Sequence, residues 1–359
     1  MASSSKSRAI AYQSHGEPGD VLKGVNYTLP GRQAHEARVR FRLAPINPAD
    51  VNVIQGAYPS KPKARDGLFG SDPGYIVGNE GLAEVLEAPS DSSLEVGQLV
   101  VMAKAQLGTW QSCANVAADG LLPLPLSCKA SDIQLATMAV NPATAYRMLR
   151  DFVDLKPGDF WIQNGANSGA GEAAIQLGRE WGLNSINIIR DKPADELERI
   201  KRRLMDLGAT HVVTTSELSD GKKLKSRIAE WTDGKPPRLA LNCVSGPVAT
   251  DMARQLGQNA TLVTYGAMSK QPLSLPSSLF IFKGLTSTGF WYASQSSDAR
   301  AKMAAELVKL YESDALVAPA HEIIEVGAES QSDEELGRIA REAVGRSGSA
   351  GKKLVFRFA

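Results

Sequence analysis

The chain has 359 residues, more than one ordinary domain needs, and its 43% hydrophobic and 22% charged residues fit a soluble globule. A formal net charge of +1 argues against a general affinity for nucleic acid or anionic membrane, and no apolar run approaches the roughly twenty residues of a membrane span. Cys113, Cys128 and Cys243 form no CxxC pair, and so sparse a set suits a reducing compartment rather than a disulfide framework.

A first strand is expected at 9–12, and the residues ahead of it, 1–8, are too few for a secretory signal or an Arg-rich transit peptide. From there to about residue 139, short strands such as 37–43, 76–86 and 98–103 alternate with turns rich in Pro and Gly. Apolar strands at 160–164, 185–189, 211–214, 239–244, 260–265 and 286–290 then alternate with helical periods. That alternation predicts a parallel sheet covered on both faces, and six strands in two halves are what a full dinucleotide-binding fold requires. After a helix at 299–312 the tail returns to β character at 322–325 and 353–358. The predicted class is α/β: residues 1–140 with 319–359 form a β-rich catalytic domain, and 141–318 form the dinucleotide-binding domain. Ligands of open α/β sheets bind outside the carboxyl ends of the strands, so the β-rich domain is expected to supply what faces a bound nicotinamide.

The strand at 160–164 runs into Gly165-Ala166-Asn167-Ser168-Gly169-Ala170-Gly171 and then into a helix. Small residues let the backbone approach a pyrophosphate, whose charge is held at the amide-rich helix N-terminus. Ala166, Ser168 and Gly171 take the three fingerprint positions, so a strict search for three glycines misses the turn. Such turns also serve packing alone, and the second strand decides between the readings. It ends in Arg190-Asp191-Lys192, where an NAD site places an acid on the ribose 2′-hydroxyl. A guanidinium matches a 2′-phosphate that an acid would repel, which predicts NADPH. Asp191 is left with two readings, a ribose partner or a salt bridge to a neighbour.

A β-rich domain followed by six nucleotide-domain strands resembles the medium-chain dehydrogenase/reductase superfamily, with a GroES-like N-terminal domain and a parallel Rossmann domain. Gly78-Asn79-Glu80 stands where zinc-binding relatives carry Gly-His-Glu, there is no cysteine cluster, and His15, His35, His211 and His321 are scattered. No metal is expected. The run from Ile46 to Pro62, with Tyr58 inside it, resembles the mitochondrial 2-enoyl thioester reductases. So do Gly78-Asn79-Glu80-Gly81, Gly108-Thr109-Trp110, Asn141-Pro142-Ala143-Thr144-Ala145-Tyr146, Tyr265-Gly266-Ala267-Met268 and Gly289-Phe290-Trp291.

That resemblance implies NADPH-dependent reduction of trans-2-enoyl thioesters on acyl carrier protein or coenzyme A, in fatty-acid synthesis, by a mitochondrial matrix homodimer. The cytoplasm is the alternative location. Tyr58 is the implied catalytic residue, with Trp291 beside the thioester. Hydride addition to the β-carbon leaves an enolate that a neutral phenol, with an unperturbed pKa of about 10, can hydrogen-bond or protonate. The cofactor contacts implied are Asn141; Asn167, Ser168, Gly169 and Ala170 at the pyrophosphate; Arg190, Asp191 and Lys192 at the 2′-phosphate and its ribose; Tyr265, Gly266, Ala267 and Met268 at the nicotinamide half; Phe290, Trp291 and Tyr292 as an aromatic wall; and Lys352, although Lys353 beside it leaves that register open. Gln111, where vertebrate relatives carry Arg, and Tyr292 depart from the family pattern. A zinc-free quinone or enone reductase and a non-catalytic NADPH-binding protein are the other readings.

Overall fold

The computed structural model describes residues 6–292, 297–348 and 351–358. The chain divides into two units. Unit 1 takes the described residues of Met1–Ala139, Ser296–Glu312 and Val317–Ala359, and unit 2 those of Val140–Gln295 and Ser313–Leu316.

Unit 1 contains β1 (Lys6–Tyr12), β2 (Lys23–Thr28), β3 (Glu36–Pro45), β4 (Arg65–Phe69), β5 (Asp72–Ile76), β6 (Leu82–Glu87), β7 (Leu99–Met102), β8 (Cys113–Ala117) and β9 (Leu121–Pro123). Unit 2 contains β10 (Phe160–Asn164), β11 (Asn184–Ile189), β12 (His211–Thr214), β13 (Leu239–Asn242), β14 (Thr261–Thr264) and β15 (Thr286–Gly289). The tail adds β16 (His321–Val326) and β17 (Lys353–Phe358) to unit 1.

In unit 1 a four-stranded sheet has the order β2-β1-β5-β4. A seven-stranded sheet has the order β16-β17-β3-β6-β7-β9, with β8 also on β3. Alternation along β3 buries Ala37, Val39, Phe41 and Leu43 and leaves Arg40 and Arg42 exposed, the pattern of a strand with one wet face.

The expected single strand at 76–86 is two strands on different sheets, β5 and β6, separated by residues 77–81. Gly78 explains the break. It sits at φ +107, and a Cβ there would lie 2.3 Å from Thr109 Oγ1, so the chain turns where only glycine fits. The helix Ser297–Glu312, expected in the nucleotide domain, belongs to unit 1. Its face at Met303, Ala304, Leu307, Val308 and Tyr311 is buried. Its polar ties also run into unit 1: Arg300 donates to the carbonyl of Ala103, and Glu312 accepts from the amide of Lys129 at 2.8 Å.

Unit 2 is a parallel sheet of order β12-β11-β10-β13-β14-β15. Parallel neighbours need crossovers, supplied by helices such as Gly169–Glu180, Ala194–Asp206, Gly221–Trp231 and Gly246–Arg254. With both faces covered the strands read as continuous apolar runs: Ile162, Ile186, Ile188, Val213, Ala240 and Leu262 are buried in one cluster. Each buried Ile, Val or Leu among them contributes about 1.5–3 kcal/mol. A rigid sheet therefore sets the positions of the loops at its carboxyl edge.

Candidate active site and dinucleotide site

In unit 2 the expected turn forms between β10 and the helix Gly169–Glu180. Ser168 caps the helix, its Oγ accepting from the amide of Gly171 at 3.1 Å. A Cβ on Gly171 would lie 2.5 Å from the carbonyl oxygen of Ala166, so the helix starts closer to the strand than any side chain permits. Asn167 and Ser168 are exposed at the tip, and Asn141 Nδ2 lies 2.7 Å from where a Cβ on Gly169 would be. The structure thus brings Asn141 to the turn.

Of the three residues ending the second strand, one keeps an uncommitted charge. Arg190 is exposed and has no hydrogen bond or ion pair among the described residues. Asp191 is taken up by the next loop, its Oδ2 accepting from Thr215 Oγ1 at 2.5 Å and the amide of Ser216 at 3.0 Å. Those bonds, the Thr215 hydroxyl foremost, hold its carboxyl below the usual range. Lys192 pairs with Glu196 at 3.0 Å.

The loops after β13 and β14 are tied to β10. Asn164 Nδ2 donates to Asn242 Oδ1 at 2.8 Å, and Asn164 Oδ1 accepts from the amide of Cys243, also at 2.8 Å. The amide of Met268 donates to the Cys243 carbonyl at 2.9 Å. Tyr265, Gly266, Ala267 and Met268 therefore follow β14 in a fixed path at the same sheet edge as the turn. Phe290 packs edge-on against Phe152 with ring centroids 6.0 Å apart, and Trp291, 44% exposed, comes next.

The Tyr265 hydroxyl is shut off from solvent and has no hydrogen-bond partner among the described residues. Burial, reinforced by the Cys243 thiol, pushes it well above the ordinary phenol range, so it stays a neutral donor. An orphaned donor, a turn of small residues and an unpaired guanidinium on one sheet edge fit a phosphorylated dinucleotide.

In unit 1, Pro48 opens the helix Pro48–Ile54, and Asn47 and Asp50 form a capping box at its start. The chain leaves the helix so that the amides of Ala57 and Tyr58 both donate to the carbonyl of Asn52, at 2.9 and 3.1 Å. Tyr58 is half-buried. Behind the loop lies a polar cluster that the sequence reading did not find. Asp50 and Glu80 are fully buried, and Asn47 is 2% exposed. Asp50 accepts from the amide of Asn47 at 2.8 Å and from the amide and Nδ2 of Asn79 at 3.1 and 2.8 Å. Burial raises the Asp50 carboxyl to about 6, against the pull of these bonds and of Lys353. Asn47 Nδ2 donates to Glu80 at 2.9 Å, and the Lys353 amine donates to Asn47 Oδ1. Burial lowers the Lys353 amine, with Glu80 and Asp50 opposing that shift. Lys352, the residue named from the resemblance, is exposed instead.

Two family models match: the alcohol dehydrogenase GroES-like domain over residues 33–125 and zinc-binding dehydrogenase over 169–309. The mitochondrial enoyl-acyl-carrier-protein reductase of Schizosaccharomyces pombe is 42% identical over 293 residues, 81% of this chain and 78% of that protein. The enzyme of the same name from Homo sapiens is 41% identical over 305 residues, 84% of this chain and 76% of its own. The chain belongs to the mitochondrial enoyl-acyl-carrier-protein reductases. A solved Etr1p complex with NADP and crotonyl-CoA superposes with a TM-score of 0.91 at 34% identity, over 99% of this chain and all of that one. An Etr1p/Etr2p heterodimer from Candida tropicalis gives 0.90 at 35%, with the same coverage.

Membership in this family is compatible with the residue chemistry despite the zinc in one model's description. Among the described residues no group of three or more His, Cys, Asp or Glu could hold a metal ion. Asn79, which the sequence resemblance sets against the histidine of zinc-binding relatives, hydrogen-bonds Asp50. No helix among the described residues is long and apolar enough to cross a membrane.

Proposed function

We propose that this chain is an NADPH-dependent reductase of trans-2-enoyl thioesters, carried on acyl carrier protein or coenzyme A, in fatty-acid synthesis. The observation that carries the reading is the match, over nearly the whole of both chains, to a reductase solved with NADP and crotonyl-CoA. NADPH, when bound, supplies a hydride for the β-carbon. The charge then spreads from the α-carbon to the thioester oxygen, where the Tyr58 hydroxyl hydrogen-bonds the enolate and assists its protonation. Trp291 offers a flat apolar wall to the thioester.

Asn167, Ser168, Gly169 and Ala170 hold the pyrophosphate on backbone amides, with Asn141 beside them. Arg190 holds the 2′-phosphate. Asp191 and Lys192, committed to Thr215 and Glu196, shape the loop that presents it. Tyr265, Gly266, Ala267 and Met268, with Phe290 and Tyr292, serve the nicotinamide half. Lys353, rather than the exposed Lys352, is the tail lysine that reaches the polar cluster behind Tyr58.

A zinc-free quinone reductase is the nearest rival; a solved structure from Bacillus thuringiensis, named only as a candidate NADPH:quinone reductase, shares the fold at 24% identity and a TM-score of 0.79. Monitoring NADPH oxidation with crotonyl-CoA and with a simple quinone separates them. Turnover of crotonyl-CoA should exceed that of the quinone, and the reverse order would favour the rival.

We assign a homodimer. β15 is the edge strand of its sheet, and on the preceding helix, Ser277–Lys283, Phe280, Ile281 and Phe282 are 42%, 71% and 74% exposed. An open edge beside exposed aromatic and aliphatic side chains fits self-pairing across a two-fold axis. Sedimentation should give twice the 38.3 kDa chain mass, and Ile281→Asp should halve it; a monomeric parent chain would refute this. We place the enzyme in the mitochondrial matrix, from the names of its relatives, and cell fractionation separates this from the cytoplasm.

A further inference from the structure

Three hydrogen bonds link the buried carboxylate of Asp50 to the loop that carries Tyr58. Asp50 Oδ1, which only accepts when ionised, takes the Nδ2 proton of Asn79 at 2.8 Å. That fixes the amide's orientation and turns Asn79 Oδ1 toward the amide of Gln106, which donates to it at 2.8 Å. Gln106 in turn donates from Nε2 to the carbonyl of Ser60 at 3.0 Å. Gln106 has φ +62, a left-handed conformation unusual for a residue with a side chain. Residues held in such conformations persist where their surroundings over-determine them, and they cluster at functional sites.

The tie to Ser60 completes a clamp. On the N-terminal side the Tyr58 amide is fixed to the carbonyl of Asn52 at 3.1 Å. Between the two ties lies Pro59, whose ring fixes its own φ and restricts Tyr58 to extended backbone. With Gln106 on the far side, the Tyr58-Pro59-Ser60 segment is held at both ends, although it carries no ladder hydrogen bonds of its own. Asn79 holds Gln106, Asp50 holds Asn79, and Asn47, itself bound by Lys353, holds Asp50.

We propose that Gln106, oriented by Asn79 and Asp50, is the positioning residue that holds the Tyr58 hydroxyl in register for protonation of the reduced thioester. This rests on the assignment of Tyr58 as the donor. A donor displaced by a fraction of an ångström to an ångström loses much of its rate advantage while substrate and cofactor still bind.

The test is a double-mutant cycle with crotonyl-CoA and NADPH. Gln106→Met keeps the side-chain length and the backbone bond to Asn79 and removes only the donation to Ser60. It should lower kcat on the order of tenfold, with the KM for NADPH and the urea midpoint unchanged. In a Tyr58→Phe background the same substitution should cost nothing further. Gln106→Glu, which places a carboxylate against the Ser60 carbonyl, should be at least as slow as Gln106→Met. Full turnover in either Gln106 variant would overturn the proposal, as would an equal loss with and without the Tyr58 hydroxyl, the mark of a structural role alone. If Tyr58→Phe is slow while Gln106→Met is fast, only the clamp fails; if Tyr58→Phe is itself fast, the assignment of Tyr58 falls and the clamp with it.

Discussion

Tyr58→Phe should lower kcat for crotonyl-CoA by roughly 10²-fold or more while the affinity for NADPH stays near that of the parent chain. The substitution removes one oxygen and leaves the backbone tie of the loop in place. Tyr58 is tied through its backbone amide to Asn52, and neither Gln106 nor Ser60 uses the phenol. What is lost is a preorganised donor at the place where charge develops, an effect worth about 2.7–4 kcal/mol where single oxyanion donors have been removed. The expected signature is equal loss in kcat and kcat/KM, because the interaction forms only as the enolate does. Steady-state kinetics with NADPH held saturating measure it. Near-normal turnover would remove Tyr58 from the mechanism.

Arg190→Asp should weaken NADPH binding by about 1.5–3 kcal/mol, the scale of a hydrogen bond to a charged group, or roughly 10- to 150-fold in Kd. The neighbouring charges offer little compensation, since Lys192 is paired with Glu196 and Asp191 is spent on Thr215 and Ser216. An acid at the end of β11 would repel a 2′-phosphate and accept a hydrogen bond from a 2′-hydroxyl, so the preference for NADPH over NADH should fall as well. Calorimetric titration with both dinucleotides reads each effect. A variant that kept the original margin of preference would place the 2′-phosphate elsewhere.

The parts of this molecule that the sequence made legible are those fixed by local pattern. β10, β12 and β17 have the expected bounds, because runs such as Phe160–Asn164 are apolar stretches between clear turn residues. The turn between β10 and the helix Gly169–Glu180 was readable from its small residues. What escaped depends on partners distant in sequence. The commitment of Asp191 is to Thr215 and Ser216, 24 and 25 residues away, and the ammonium of Lys353 meets Asn47 across 306 residues.

Asn79 shows the same limit more sharply. As part of Gly78-Asn79-Glu80 it signalled only a missing zinc ligand, whereas in the fold its amide joins Asp50 to Gln106. The signal that could have found it was a buried-type Asp at the third position of a capped helix, next to a segment whose glycines break the strand. The allegiance of the helix Ser297–Glu312 was also invisible: its 3.6-residue period shows that one face is buried, and not against which unit.

The reaction assigned to this chain moves a hydride from NADPH to the β-carbon of an enoyl thioester and a proton to the α-carbon. The most direct measurement runs the crotonyl-CoA reaction with NADPH deuterated at the transferable position and analyses the product by mass spectrometry and NMR. The expected product is butyryl-CoA with one deuterium on C3 and a solvent-derived hydrogen on C2. Butyryl-CoA with the label on C2, or NADPH consumed without any labelled thioester, would contradict it.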